Sequence, residues 1–195
     1  MQITEYDKKM AKEIFNKIFS TPREKEDIFY ELVFCLCAPQ TTYKRNIRVL
    51  DYLRDHRYYY VPFKHDWLEE ALKPVRFYRN KAKWVAEAKK KFTDIFNIVA
   101  FGVYNARTKR DWLLENVKGL GMKAASHFLR NLGARDLAII DTHVLKFLEV
   151  TGKWKYEELE NQLKNLAANE GLSIGEFDII LWQKYSKTDW SEYNH

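Results

Sequence analysis

One stretch, Val117–Asp141, constrains the fold of this chain more than any other; it reads VKGLGMKAASHFLRNLGARDLAIID. Within it, Lys118-Gly119-Leu120-Gly121 predicts a tight connector, because glycine tolerates positive φ. A charged segment around Trp112 precedes the connector and is compatible with a short helix. After it, residues 122–132 predict a second helix that ends at Gly133. A helix, a Gly-x-Gly hairpin and a second helix would offer unpaired backbone N–H groups to a phosphate.

A carboxylate follows the hairpin. Asp141 lies eighteen residues after Lys123, in the apolar run LAIIDTHVLKFL. The hairpin, the lysine and the Asp-Thr-His triplet at this spacing resemble the helix-hairpin-helix DNA glycosylase superfamily. The resemblance implies that Lys123 is the nucleophile of a bifunctional glycosylase/lyase and that Asp141 is its catalytic carboxylate. Because a helical segment starts at Thr142, we also expect Asp141 to cap that helix.

A second motif narrows the resemblance. The stretch VRFYRNKAKWVAEAKKKF resembles the archaeal-type, or second, class of 8-oxoguanine DNA glycosylase/AP lyases, and the likeness runs from Lys25 to Thr188. That class is small and has neither an iron–sulfur cluster nor the extra N-terminal β domain of the eukaryotic-type enzymes. The chain departs from the class in two places. The loop 133–136 contains no proline, and residues 189–195 do not end in the lysine that the class often places near the damaged base.

The chemistry of such an enzyme needs few groups. Cleavage of an N-glycosidic bond builds positive charge on the sugar, which a nearby carboxylate, here Asp141, would stabilise. A neutral amine, here Lys123, would attack C1′ and form a Schiff base that permits β-elimination of the 3′ phosphate. Lys123 could instead be a surface lysine that binds a phosphate. We predict a DNA glycosylase/AP lyase of base excision repair that removes 8-oxoguanine from duplex DNA.

The duplex hides its bases, so the damaged nucleotide must be extruded. The resemblance places a residue that fills the vacated stack at the polar turn with Gln40 and Thr41. It suggests Phe77, Tyr78 and Trp182 as base-pocket residues, the last because the family has a C-terminal tryptophan there. The turn could also be an ordinary polar loop, and the aromatic residues could pack in the core. Further predicted DNA contacts are hairpin residues and basic side chains: Lys118, Gly119, Gly121, Arg79, Lys81, Arg130 and His143.

Composition agrees with a polyanionic partner. The 195 residues carry a net charge of +6, with a pI of about 9.1, and 46% of them are hydrophobic, enough for a substantial core. We predict that the partner is double-stranded DNA containing an oxidised base, bound by a monomer. Charge alone is also compatible with a merely basic soluble protein.

Cysteine and histidine usage argues against a cofactor. Cys35 and Cys37 occupy one apolar run, where they suit core thiols, and no cysteine follows them to hold an iron–sulfur cluster. His56, His65 and His127 show no metal-ligand spacing, so no metal and no cofactor are predicted. Because there is no apolar run of 18 residues and no signal-like start, we expect no membrane span and a cytoplasmic location, at the nucleoid of a prokaryotic cell.

The hydrophobic pattern predicts an all-α, two-lobed helix-hairpin-helix glycosylase fold without an iron–sulfur cluster. We expect one lobe from residues 25–135, with the hairpin, and the other from residues 1–24 and 136–195. The predicted helices, besides the two of the hairpin, cover residues 5–19, 23–37, 43–55, 67–72, 77–92, 96–104, 143–150, 155–169 and 173–185.

Two alternatives remain open from the sequence. One is an endonuclease III-like glycosylase for oxidised pyrimidines, which the missing cluster cysteines disfavour. The other is a non-catalytic helix-hairpin-helix DNA-binding module, which would tolerate the loss of Lys123 and Asp141. An adenine glycosylase is disfavoured because such enzymes do without this lysine.

Overall fold

The computed structural model of the chain describes residues 2–21, 23–101 and 103–186, and these residues contain helices and no β-strand. Residues 189–195, which lack the expected terminal lysine, lie outside the described part. The described α-helices are α1 (Glu5–Ile14), α2 (Lys25–Cys37), α3 (Tyr43–Asp55), α4 (His65–Leu72), α5 (Tyr78–Lys90), α6 (Phe92–Phe96), α7 (Ala106–Asn116), α8 (Met122–Asn131), α9 (Thr142–Phe147), α10 (Tyr156–Asn169) and α11 (Ile174–Ser186).

The chain forms two compact units. Unit 1 consists of Met1–Thr21 and Leu129–His195, and unit 2 consists of Pro22–Phe128. The chain passes from unit 2 to unit 1 within α8. The hairpin and Lys123 therefore belong to unit 2, whereas Asp141 belongs to unit 1.

The core of unit 1 forms where α11 packs against α1 and α9. Phe15 and Phe19, at the end of the N-terminal helical segment, are buried and contact each other edge to face, with ring centroids 5.5 Å apart. Gly175 of α11 lies against Phe15, and a Cβ at that position would strike the Phe15 ring. Close packing of α11 against the N-terminal helical segment therefore depends on a small residue at position 175.

The core of unit 2 is centred on α2, which packs against α3, α5 and α6. Phe29 is fully buried and contacts Phe92 edge to face at 5.1 Å between ring centroids. Cys35 and Cys37 are both buried and form no disulfide, as the sequence predicted.

Two helical segments end in a π-helical turn, Phe15–Phe19 and Asn97–Phe101. The predicted helix over residues 96–104 is therefore wrong in its bounds. The α-helical part ends at Phe96, the π-turn ends at Phe101, and Val103 and Tyr104 are exposed and non-helical. The apolar pattern suggested a longer helix because these side chains are apolar although they face solvent. None of the described helices combines the length and the apolar character that a membrane crossing requires.

Candidate active site

The hairpin between α7 and α8 is a tight turn that depends on Gly119. This residue has φ +90°, and a Cβ built on it would lie 2.5 Å from the ring of Trp84 in α5. Glycine tolerates positive φ, but Gly121 does not use this freedom. It is not among the residues with positive φ, and a Cβ there would meet no atom of the described residues within 4 Å. Gly119 is therefore required by the fold, whereas Gly121 leaves open space at the surface.

The backbone of the hairpin leads directly into α8. The Leu120 N–H donates to the Val117 carbonyl (3.3 Å), and the Ala125 N–H donates to the Gly121 carbonyl (2.9 Å). The first N–H groups of α8 precede these helical bonds and have no acceptor within the helix. Such groups suit an anion.

Two side chains brace the hairpin from within unit 2. Arg110 of α7 is 1% exposed and donates from Nη1 to Ser126 Oγ of α8 (2.9 Å). Lys118 is exposed, and its Nζ lies 3.3 Å from Glu87 Oε2 of α5. Because the buried bond joins the two helices on either side of the turn, it fixes their spacing.

Lys123 occupies the second position of α8. Its side chain is exposed, and it makes no hydrogen bond or ion pair with the residues that the structure describes. The amine therefore faces solvent directly behind the hairpin.

Asp141 is the N-cap of α9, as predicted. Its Oδ1 accepts hydrogen bonds from the backbone N–H groups of His143 (2.8 Å) and Val144 (3.0 Å). Its carbonyl accepts the helical bond of Leu145 (2.9 Å). Its Oδ2 receives no hydrogen bond from the described residues, so one carboxylate oxygen positions the residue and the other is available.

The extended segment before Asp141 is buried and held by α10. The Ala138 N–H donates to Glu160 Oε1 (3.0 Å), and the Ile140 N–H donates to the Tyr156 hydroxyl (3.2 Å). The same hydroxyl donates to the Ala138 carbonyl (2.7 Å). Two side chains of α10 thus satisfy three buried backbone groups just ahead of the carboxylate.

The loop before that segment is anchored by Arg135. Its guanidinium donates to Glu176 Oε1 (2.6 Å) and Asn16 Oδ1 (2.6 Å) and lies over the Phe15 ring. Burial acts to raise the pKa of Glu176, but hydrogen bonds from Ser173 and Arg135 outweigh it and hold that pKa below its ordinary value. The ion pair therefore forms with an ionised carboxylate.

The polar turn between α2 and α3 and the start of α5 each contain a residue in the left-handed region. Gln40 has φ 54° and Phe77 has φ 58°, and both side chains are exposed. An open surface pocket at the start of α5 is lined by Phe77, Tyr78, Arg79 and Asn80. Because non-glycine residues seldom adopt this conformation, their backbone is held by the surrounding structure.

Comparison with known proteins identifies the family. A family profile described as 8-oxoguanine DNA glycosylase matches residues 8–172. An 8-oxoguanine DNA glycosylase/AP lyase of Korarchaeum cryptofilum is 33% identical over 176 residues, which cover 84% of this chain and 82% of that protein. The chain belongs to the 8-oxoguanine DNA glycosylase family.

Solved structures of this family have the same fold. The Methanocaldococcus jannaschii 8-oxoguanine glycosylase/lyase, crystallised with a 15mer DNA containing 8-oxoguanine, matches with a TM-score of 0.81 and 31% identity over 95% of this chain and 93% of that one. The 8-oxoguanine DNA glycosylase of Thermotoga maritima matches with a TM-score of 0.77 and 30% identity, covering 91% and 89% of the two chains. The predicted family and the all-α helix-hairpin-helix glycosylase fold are confirmed.

Two basic residues of this glycosylase, Lys81 and Arg130, are buried and contact protein atoms. Lys81 is 1% exposed, and its amine is bonded inside unit 2. Arg130 is 7% exposed, lies over the Phe19 ring and pairs with Asp178 at 3.6 Å. Both were predicted as DNA contacts, and that role stays untested; in this structure the charged group of each contacts protein atoms.

The remaining predicted contacts are distributed over both units of the glycosylase. Arg79 is exposed, whereas the Thr41 hydroxyl faces protein atoms. His143 lies in the first turn of α9, and Trp182 is half-buried in α11. Among the residues that the structure describes, no group of three or more His, Cys, Asp or Glu side chains could hold a metal ion.

Several residues that hold the backbone near the candidate site were not predicted from the sequence in that role. Lys81 was predicted as a DNA contact, although Val85 and Ala88 continue a buried stripe from it at helical spacing. That periodicity could have indicated its burial. No comparable signal exists for Tyr156, because its partners are backbone groups of residues 138 and 140.

Proposed function

We propose that this chain removes 8-oxoguanine from duplex DNA with the Lys123 amine as nucleophile and the Asp141 carboxylate as the group that stabilises the sugar cation. By its family the chain is an 8-oxoguanine DNA glycosylase/AP lyase. The proposal assigns the groups that perform the reaction. The observation that carries it is the exposed Lys123 amine, which lies directly behind the hairpin and has no partner among the described residues.

The reaction proceeds in two stages. The unprotonated Lys123 amine bonds to C1′, and the bond from C1′ to the base breaks, with its electron pair leaving on the base. The sugar ring then opens at C1′, which leaves a Schiff base between C1′ and the lysine nitrogen. Loss of a proton from C2′ expels the 3′ phosphate, and water finally releases the lysine from the nicked product.

Asp141 stabilises the positive charge that develops on the sugar as the base departs. Its Oδ1 is held by the N–H groups of His143 and Val144, so the side chain has little freedom to turn. Its Oδ2, which the described residues leave without a hydrogen bond, is the oxygen that we assign to the sugar. The carboxylate can also accept the proton that Lys123 loses.

Binding of the duplex uses phosphate contacts that do not depend on base sequence. We assign these contacts to the N–H groups that follow Gly121, where a Cβ would have open space, and to Lys118, Arg79 and His143. Affinity should therefore fall steeply with salt, because bound phosphates release counterions.

Extrusion of the damaged nucleotide is assigned to exposed residues with a fixed backbone. Gln40 fills the gap in the stack, while Phe77 and Tyr78 contact the extruded base. Trp182 of α11 is a further base contact in this proposal.

Borohydride trapping tests the nucleophile. The parent protein should form a covalent complex with duplex DNA containing 8-oxoguanine, and Lys123→Gln should form none. Lys83→Gln is the control, because Lys83 is another exposed lysine of unit 2 and is assigned no DNA contact. Trapping by Lys123→Gln at the parent's level would reject the assignment of Lys123.

The same protein can be tested against the alternatives with a panel of single lesions. Preferential release of 8-oxoguanine supports the proposal, whereas preferential release of oxidised pyrimidines would favour an endonuclease III-like specificity. Binding without release of any base would favour a DNA-binding module.

We further propose that the enzyme acts as a monomer in the cytoplasm, where prokaryotic chromosomal DNA lies. One copy carries both proposed catalytic residues. Light scattering of the protein bound to one short lesion duplex should give the mass of a 1:1 complex. A 2:1 complex would contradict the monomer.

A further inference from the structure

A buried ammonium lies where an apolar side chain would pack at lower cost. Lys81, in the first turns of α5, is 1% exposed. Its Nζ donates to the Cys37 carbonyl (2.7 Å), the Pro39 carbonyl (2.7 Å) and the Thr41 hydroxyl (3.0 Å). Desolvation lowers the pKa of Lys81, and these three acceptors offset that cost. The role of the Lys81 ammonium in the structure is therefore to bind these three acceptors.

The three bonds hold the turn between α2 and α3. The Cys37 and Pro39 carbonyls lie at the C-terminal end of α2, where a cation is favoured by the helix dipole. Pro39 and Thr41 are the two neighbours of Gln40, so the amine anchors the chain on both sides of it. Gln40 is thus kept in the left-handed region, at φ 54°, with its side chain exposed.

The same hydrogen-bond network reaches the aromatic residue at the start of α5. The Thr41 hydroxyl accepts from the Arg76 N–H (3.3 Å), and the Phe77 carbonyl accepts from the Lys81 N–H (3.1 Å). Phe77 lies between these two bonds, has φ 58° and is 51% exposed. The Lys81 N–H bond is the ordinary first backbone bond of α5, so the Lys81 ammonium reaches Phe77 through the Thr41 hydroxyl, which it shares with the N–H of Arg76, the residue before Phe77.

We infer that Lys81 is a positioning residue that presents Gln40 and Phe77 as one preformed pair for base extrusion. The inference rests on the extrusion roles proposed above for these two residues. With both backbones already fixed, binding to damaged DNA need not order them. Loss of the clamp should therefore slow extrusion while leaving the reaction at C1′ and the hairpin contacts intact.

The test compares Lys81→Met with Lys89→Met. Lys89 lies on the same helix, and its Nζ likewise donates to the carbonyls of a turn, those of Tyr58 and Val61. Both changes remove a partly buried ammonium that holds backbone carbonyls, but only Lys81 holds the turn with Gln40. Lys89→Met therefore controls for a general loss of stability in unit 2.

Two readouts separate extrusion from chemistry. 2-Aminopurine placed next to 8-oxoguanine reports unstacking, and borohydride trapping on a preformed abasic site reports the amine. Lys81→Met should slow the fluorescence rise and base release at least tenfold and keep abasic-site trapping within about threefold of the parent. Lys89→Met should leave both the fluorescence rise with base release and the abasic-site trapping at the parent's level. Equal loss of both signals in Lys81→Met, or equal loss in the two variants, would overturn the inference.

Thr41→Val gives a second route if Lys81→Met does not fold, because it removes only the shared hydroxyl. It should slow extrusion in the same selective way. Gln40→Ala with Phe77→Ala tests the underlying assignment. Normal extrusion by that double variant would reject the extrusion roles themselves. If the double variant is slow and Lys81→Met slows it tenfold again, Lys81 does not act through this pair.

Discussion

The hydroxyl of Tyr156 offers a sharp test of how Asp141 is positioned. It bridges the Ile140 N–H and the Ala138 carbonyl, and both of these residues are almost fully buried. Tyr156→Phe removes both bonds and leaves two buried backbone groups without this partner. At about 1–1.5 kcal/mol for each bond, the free energy of unfolding should fall by about 2–3 kcal/mol.

The loss of these two hydrogen bonds should also slow base release. The unsatisfied groups lie one and three residues before Asp141, so the extended segment can shift and carry the carboxylate with it. Misplacement of a catalytic group by 1 Å can cost about a hundredfold in rate. We expect single-turnover release of 8-oxoguanine, measured at saturating enzyme, to slow by about tenfold or more.

Tyr30→Phe is the matched control, because Tyr30 makes the same kind of bridge in unit 2. Its hydroxyl donates to the Leu53 carbonyl (3.2 Å) and accepts from the Tyr59 N–H (3.2 Å). Urea unfolding should show a similar loss of stability in both variants, while base release should slow only in Tyr156→Phe. Equal base release by the two variants would refute the positioning argument.

Three further predictions concern the carboxylate, the hairpin and acid stability. Asp141→Asn should slow base release by about a hundredfold or more and leave affinity for lesion duplex nearly unchanged; unfolding of that variant would show a mainly structural cap. Gly119→Ala should cost about 1–3 kcal/mol of stability in urea. Gly121→Ala should fold normally and weaken binding to lesion and undamaged duplex alike, and unchanged binding would exclude its phosphate role. The lowered pKa of Glu176 means that its pairing with Arg135 stabilises the fold above pH 4.5 and is lost as the pH falls through the folded pKa. The stability advantage of the parent over Glu176→Gln should therefore shrink on acidification, and a constant difference would contradict it.

Local signals were enough to predict the elements to which the chemistry is assigned in our proposal. The Gly-x-Gly pattern, the lysine after it and the capping position of Asp141 are all short-range features. Periodicity also gave the helices, except where exposed apolar residues such as Val103 prolonged the apparent pattern. These features depend on residues within one or two helical turns of each other.

The supporting contacts could not be predicted in the same way. Lys81 bonds to residues 40 to 44 positions away, and Tyr156 bonds to backbone groups that carry no side-chain signature. Whether a lysine faces a phosphate or a buried carbonyl depends on which helices pack together. That information lies in tertiary structure, so the surroundings of the charged side chains could not be predicted from the sequence.

The helix α5 contacts two separate parts of unit 2 within a single turn of its length. Trp84 lies under the hairpin at Gly119, while Lys81 holds the turn that carries Gln40. Insertion of one residue between Lys81 and Trp84 would rotate one contact by about 100° relative to the other. The spacing between Lys81 and Trp84 is therefore fixed even where the surface residues of α5 can vary. Homologous chains should accommodate insertions and deletions in the exposed connections and exclude them from these few positions of α5.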